Sequence, residues 1–196
     1  EQLQEVSRTA HDNGLAVHID GARLFNASVE TGTPAGEYAA AADSVWVDFT
    51  KGLGAPVGAA LAGSREFIEA AWRFKHQFGG AMRQSGVIAA AALYALDNNI
   101  ERLADDHEHA RLLARGLQET DGITVEPVAT NMVFFDVSGL GMTAQQFIEK
   151  TMESGLAFSA MGHTRIRAVT HLDVSRDQIL EAVDIVSRIA AGAAGS

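Results

Sequence analysis

Lys51 and Asp20 are the two residues whose types and placing could do covalent chemistry together. Lys51 lies within VWVDFTKGLGAPVGAALAG (45–63), between two apolar runs and beside a cluster of glycines. The chain has three lysines (Lys51, Lys75 and Lys150) and twelve arginines, and a lysine ordinarily keeps its charge in water on a helix face. Lys51 is therefore either a surface residue or a lysine wanted for something arginine cannot do. A primary amine condenses with a carbonyl carbon, and a guanidinium does not. Asp20 closes the β-type run LAVHID and is followed by GAR, which places it at the C-terminal edge of a sheet. Lys51 follows the next strand and is expected at the same edge, where ligands bind in open α/β sheets.

An amine and a carboxylate at neighbouring strand ends suit pyridoxal phosphate, which needs a lysine for a Schiff base and an acid to keep its pyridine nitrogen protonated. The same residues have plainer readings. An Asp at a strand end before Gly is often a turn residue, and a lysine in a Gly-rich loop is often merely solvated. A phosphate-binding loop is disfavoured, because no glycine run precedes Lys51 and no Ser or Thr follows it.

The elements that must position these groups can be read from periodicity and punctuation. EQLQEVSRTAHDNG reads as an amphipathic helix with Leu3, Val6 and Ala10 on one face and a DNG stop. A chain opening inside such a helix without a Met suggests a fragment. Strands are expected at 15–20, 43–49 and 57–63, with a short helix after residue 21 and a helix from Ser64, which can cap it. Residues 87–97 form a helix too apolar all round for a surface element. The first half, to about residue 100, alternates as a parallel sheet covered by helices would. The second half, 101–196, opens on a long charged helix and continues strand-strand-helix-strand-strand-helix, a small α+β unit. Its helices from Thr143 and Ser175 carry capping-box spacings with Gln146 and Gln178.

Composition bounds the partners. Apolar residues make up 47% and charged residues 20% of the chain, as in soluble globular proteins. The net charge of −10 argues against nucleic acid and anionic membranes as partners. There is no cysteine, which excludes disulfides and thiolate metal sites. No apolar run is long enough to span a bilayer, and a cytoplasmic protein is expected.

In order, VHIDGARLFNA, DSVWVDFTKGLGAPVGAALAG, GGAMRQSG and IRAVTHLDVS resemble the threonine aldolases of the β-eliminating lyase group, over nearly the whole chain. The resemblance implies the aspartate-aminotransferase fold (fold type I): residues 1–100 as part of the large coenzyme domain and 101–196 as the small C-terminal domain. It implies pyridoxal 5'-phosphate on Lys51, with Asp20 at the pyridine nitrogen. Arg23 and Arg167 are implied at the substrate carboxylate, where planar guanidinium forks would hold it; Arg165, two residues along the same strand face, is the alternative to Arg167. Arg83 is expected at the coenzyme phosphate or a neighbouring subunit, and Thr50 at the phosphate or simply ending the strand. The implied activity is cleavage of L-threonine, L-allo-threonine and related β-hydroxy-α-amino acids to glycine and an aldehyde, with a homodimer or homotetramer as the assembly.

Other residues and readings stay open beside these. Lys75 and His76, before GG, compete for a place near the site. His18 shares a strand face with Asp20 and reads best as a core histidine, while His107 and His109 read as solvated surface and not as a metal site. The alternatives to an aldolase are another pyridoxal-phosphate β-eliminating lyase, or an incomplete fragment that folds and dimerises without catalysis. A dinucleotide-binding domain is disfavoured by the lack of G-x-G-x-x-G after a strand.

Overall fold

Helical and β-type runs alternate along the chain, and each run forms the element its pattern dictates. The computed structural model describes residues 1–194, and the chain divides into two units, Glu1–Leu103 and Ala104–Ser196.

The first unit begins with α1 (Gln2–Asp12), ended at Gly14, whose φ of +71° only glycine adopts readily. Then come β1 (His18–Gly21), α2 (Leu24–Thr31), α3 (Ala35–Ala39), β2 (Ser44–Asp48), β3 (Ala59–Gly63), α4 (Arg65–Gln77) and α5 (Gly86–Asn98). The Ser64 hydroxyl caps α4 by accepting from the Phe67 amide at 3.2 Å. The sheet order is β1-β2-β3. β1 runs parallel to β2, pairing Asp20 with Trp46, because two helices intervene to carry the chain back. β3 runs antiparallel to β2, so the parallel sheet expected here is in fact mixed. The connection 49–58 holds no crossover helix, and parallel pairing needs one.

The core of this unit is small: Leu53, Ala55, Ala95 and Leu103, with Phe25, Phe49 and Leu96 packed against it. α5 was expected to be enclosed. Only Ala92 and Ala95 of it are buried, and Val87, Leu93 and Tyr94 are exposed. The apolar face of α1 is likewise open at Val6.

The second unit carries α6 (Leu103–Gln118, beginning at the division), β4 (Thr124–Val125), β5 (Met132–Asp136), a 3-10 turn (Ser138–Leu140), α7 (Ala144–Glu153), β6 (Ser159–Ala160), β7 (Arg165–Val169) and α8 (Arg176–Ala194). Its sheet, in order β4-β5-β7-β6, is antiparallel throughout. Both capping boxes form: Thr143 and Gln146 exchange side-chain and backbone bonds at the start of α7, as do Ser175 and Gln178 before α8. Inward residues of β5 and β7 (Val133, Phe135, Ile166) meet Leu113 and Leu117 of α6, Phe147 of α7 and Val186 of α8 in one core. His107, read from the sequence as solvated, is 1% exposed. It sits one residue after the buried Asp106, on the face that α6 turns inward, where the i, i+3, i+4 set Leu103, Asp106, His107 and Ala110 is enclosed.

Candidate coenzyme site

The loop carrying Lys51 is held at several points. Phe49 donates its amide to the Gly58 carbonyl and accepts from the Ala55 amide, at 3.1 and 2.8 Å. The Gly54 amide reaches the Lys51 carbonyl at 3.0 Å with φ +70° at Gly54, a tight turn that glycine takes without strain. Leu53 and Ala55 anchor it in the core, and Asn99 donates its side-chain amide to the Leu53 carbonyl at 2.7 Å. The KGLGAP pattern thus builds a fixed platform, with buried Leu and Ala alternating with turn glycines.

Residues paired across neighbouring strands point to the same face. His18 with Ser44 and Asp20 with Trp46 share one face of the sheet. Lys51 reaches that face: its Nζ lies 5.1 Å from the centroid of the Trp46 ring and 3.0 Å from Asp48 Oδ2. Lys51, Asp48, Trp46 and Asp20 therefore share one face, with the amine against the Asp48 carboxylate and the Trp46 ring. Gly21 is needed there, because a Cβ would collide with the Trp46 carbonyl oxygen.

Asp20 accepts the Ala22 amide at 3.0 Å, a local turn bond, and its side chain is otherwise exposed. Asp48 is enclosed, its side chain 6% exposed against 40% for Lys51. Burial alone would push its carboxyl up. The Thr50 amide and hydroxyl and the Lys51 ammonium outweigh that, and the carboxyl sits below its usual value. The Thr50 hydroxyl donates to Asp48 Oδ1 at 2.7 Å, so its proton is already committed. His18 is exposed, with Nδ1 2.8 Å from the Ser44 hydroxyl. The core placing expected for it fails because this face of β1 is open.

Arg23 is half-buried at the start of α2, three residues after Asp20. Arg83 is exposed on the turn between α4 and α5; no contact brings it to Lys51. Lys75 stacks over Trp72 at 4.5 Å and borders an open cavity of about 300 Å³ that includes Phe49, Val57, Ser85 and Leu93. His76 is turned to its own helix, Nδ1 donating to the Trp72 carbonyl at 2.9 Å, so Lys75 is the one of the two that faces the Phe49 loop.

In the second unit, Arg165 and Arg167 occupy one face of β7 and differ in commitment. Arg165 makes a two-pronged pair with Glu126, at 2.6 and 2.8 Å, and lies over the Phe134 ring at 4.5 Å. Arg167 is half-buried, and its Nε, fully enclosed, has no hydrogen-bond partner among the described residues. A buried donor left unsatisfied is costly, and a carboxylate is the acceptor that matches a guanidinium fork.

Sequence reasoning missed Asp48 and Trp46. The i, i+3 spacing of Asp48 and Lys51 across DFTK was the available signal for the first. For Trp46 it was period-two alternation in VWVD, which puts residues 46 and 48 on one face.

The family model described as beta-eliminating lyase matches residues 1–139. The chain belongs to the β-eliminating lyase family. A low-specificity L-threonine aldolase from Arabidopsis thaliana is 43% identical over 182 residues, 91% of this chain and 51% of that protein. The chain thus spans about half the length of the curated relatives it matches. Among solved structures, a candidate L-allo-threonine aldolase from Listeria monocytogenes superposes with a TM-score of 0.80 at 25% identity, over 97% of this chain and 55% of that one. The α-aminoadipate aminotransferase of Thermus thermophilus, solved with N-(5'-phosphopyridoxyl)-L-leucine, gives a TM-score of 0.72 at 16% identity over 98% and 54%. The fold of this chain is therefore that of the fold-type-I pyridoxal-phosphate enzymes, as the resemblance implied. No helix among the described residues is long and apolar enough to cross a membrane.

Proposed function

We propose that this chain carries the lysine-bearing part of a pyridoxal-phosphate lyase that cleaves L-threonine, L-allo-threonine and related β-hydroxy-α-amino acids to glycine and an aldehyde. The observation that carries it is the gathering of Lys51, Asp20 and Trp46 on one sheet face in a chain of this family. The donor set fits the coenzyme: a primary amine on a fixed loop, a carboxylate on the neighbouring strand at the same edge, and a glycine where the backbones approach. When bound, the coenzyme supplies the electron sink for the bond broken at the substrate Cα. Asp20 then holds a proton on the pyridine nitrogen, and Lys51 is the covalent anchor. Arg23 and Arg167 hold the substrate carboxylate, which fixes the orientation of the bond to be cleaved. The unsatisfied Nε of Arg167, beside the Glu126-bound Arg165, supports Arg167 as the carboxylate-binding arginine of that strand. Arg83 and Thr50 are assigned to the phosphate side, Thr50 only after its hydroxyl turns from Asp48. Residues 1–100 are assigned to the coenzyme domain and 101–196 to the small domain, a boundary close to the division between the two units. The exposed apolar side chains of α4 and α5 support a homodimer or homotetramer.

The test is the visible absorbance of the chain with added pyridoxal phosphate. A coenzyme band in the parent and its loss in Lys51→Ala are expected; a band of equal strength in both defeats the assignment. Aldehyde release from L-threonine then separates the arginines. Arg167→Lys should lower kcat/KM roughly tenfold or more, the worth of a charge-assisted hydrogen bond, and Arg165→Lys much less. Aldehyde release absent where a β-substituent is eliminated would identify another lyase of the family.

A further inference from the structure

Asp48 has no part in the chemistry above, yet its carboxylate touches the Lys51 amine. A carboxylate this enclosed is costly unless its oxygens are satisfied, and they are. Oδ1 accepts both the amide and the hydroxyl of Thr50, at 3.0 and 2.7 Å, which fixes the group and leaves Oδ2 for Nζ at 3.0 Å. On its other side Nζ faces the Trp46 ring. A carboxylate and an aromatic face both attract the positive charge of an ammonium. The charged or titratable residues that the three strands bring to this face are His18 and Asp20 from β1 and Asp48 from β2; β3 brings Ala59, Leu61 and Gly63. His18 is bonded to Ser44 at the far end of the strand, and Asp48 is the one in the ion pair.

We propose that Asp48 is a positioning residue that latches Lys51, holding Nζ as an ion-paired ammonium against Trp46 until the coenzyme arrives. The latch rests on the coenzyme reading given above. An ammonium has no lone pair to offer, so opening the pair precedes capture. Once the pair opens, Lys51 could release a proton to solvent and offer its lone pair to the coenzyme's aldehyde carbon, whose oxygen would leave as water; nothing would be oxidised or reduced. Asp48 thus orients the lysine and at the same time slows its reaction, so removing its charge should speed capture.

The test begins on the coenzyme-free chain. Lysines are labelled at trace level with acetic anhydride and read by peptide mass spectrometry, with Lys75 and Lys150 as internal references. Asp48→Asn keeps an oxygen for Thr50 and removes the charge; Lys51 labelling should rise about two- to fivefold relative to Lys150, the scale of a partly exposed ion pair. Added salt should speed Lys51 labelling in the parent by screening the pair and leave the variant unchanged. A relative rate unmoved by Asp48→Asn overturns the latch. If the variant fails to fold, shown by a shift in Lys75 as well, the salt series on the parent decides: a flat response there overturns the latch too. Coenzyme is added last, and its absorbance band should grow faster in Asp48→Asn than in the parent. Should neither protein develop the band, the coenzyme reading fails while the labelling result still judges the ion pair.

Discussion

Phe135 and Phe78 are the same side chain in opposite circumstances. Phe135, on β5, is fully enclosed, edge-on to Phe147 and Phe158 at 6.1 and 5.4 Å between centroids. Phe78, at the end of α4, is 86% exposed and stacks at 6.3 Å on Phe74, itself exposed. The contrast extends to the units that hold them. The second unit puts three helices over the inward face of an antiparallel sheet and covers its apolar residues. The first has a four-residue buried core and leaves Trp72, Val87, Leu93 and Tyr94 open. Exposed apolar surface is what an interaction face presents, and the second unit shows less of it. The unit that carries the proposed chemistry is thus the one less able to stand alone, and the unit that carries none of the covalent chemistry is the better packed.

The largest effect should come from separating the two. Residues 104–196 made alone should melt in one cooperative transition followed by circular dichroism. Residues 1–103 made alone should bind a hydrophobic dye strongly and melt broadly or aggregate. A sharp melt with no dye binding for 1–103 would break the comparison. Within the intact chain, Phe135→Ala should cost about 3–5 kcal/mol of unfolding free energy, the usual loss for a large aromatic taken from a core. Phe78→Ala should change it by less than about 0.5 kcal/mol, as exposed positions do. Both are read from denaturant midpoints, and equal losses would show that the α4 face is covered in solution.

How much of this was legible in the sequence follows the same division. In the second unit each capping box, strand and helix could be read from local pattern, because the residues that cover each element lie in the same stretch of chain. In the first unit the strands were legible but not their directions. The antiparallel turn of β3 depends on a ten-residue connection whose path is set by Leu53 and Ala55 packing against Ala95 and Leu103, far along the chain. The burial of α5 was misjudged for a related reason. Hydrophobic composition says that a helix needs cover, and does not say that the cover lies within these residues. At the candidate site, Lys51 and Asp20 stand out by their odd settings at strand ends, and the arginines enter only through the resemblance. Asp48 was passed over because a strand-end Asp looks like any other turn residue until its oxygens are seen to be shared between Thr50 and Lys51. His107 was misplaced because the HEH histidines were put on the charged side of an amphipathic helix, when the 3.6-residue period turns His107 inward with Leu103 and Ala110.

The smallest effect that sharpens the comparison concerns acid. Asp136 in the second unit and Asp43 in the first both have carboxyls held below the ordinary value of 3.8. For Asp136 the causes are the Ser138 side chain, then the Thr164 hydroxyl, then the Ser138 amide; the hydroxyl bond is 2.6 Å and the amide bond 2.8 Å. For Asp43 they are the Val17 amide and then His11, at a position exposed to solvent. A carboxyl whose folded value is depressed adds stability that is complete above its unfolded value and is lost as pH falls through the folded one. The window for both therefore opens near pH 3.8 and runs downward. Asp136→Asn should lower stability at neutral pH and flatten the fall of unfolding free energy below about pH 4. Asp43→Asn should do so more weakly, since water screens its partners. Urea unfolding at a series of pH values reads both. Parent and Asp136→Asn curves that fall in parallel would mean that Asp136 keeps its partners in the unfolded chain, and that the tighter packing of its unit does not extend to this carboxylate.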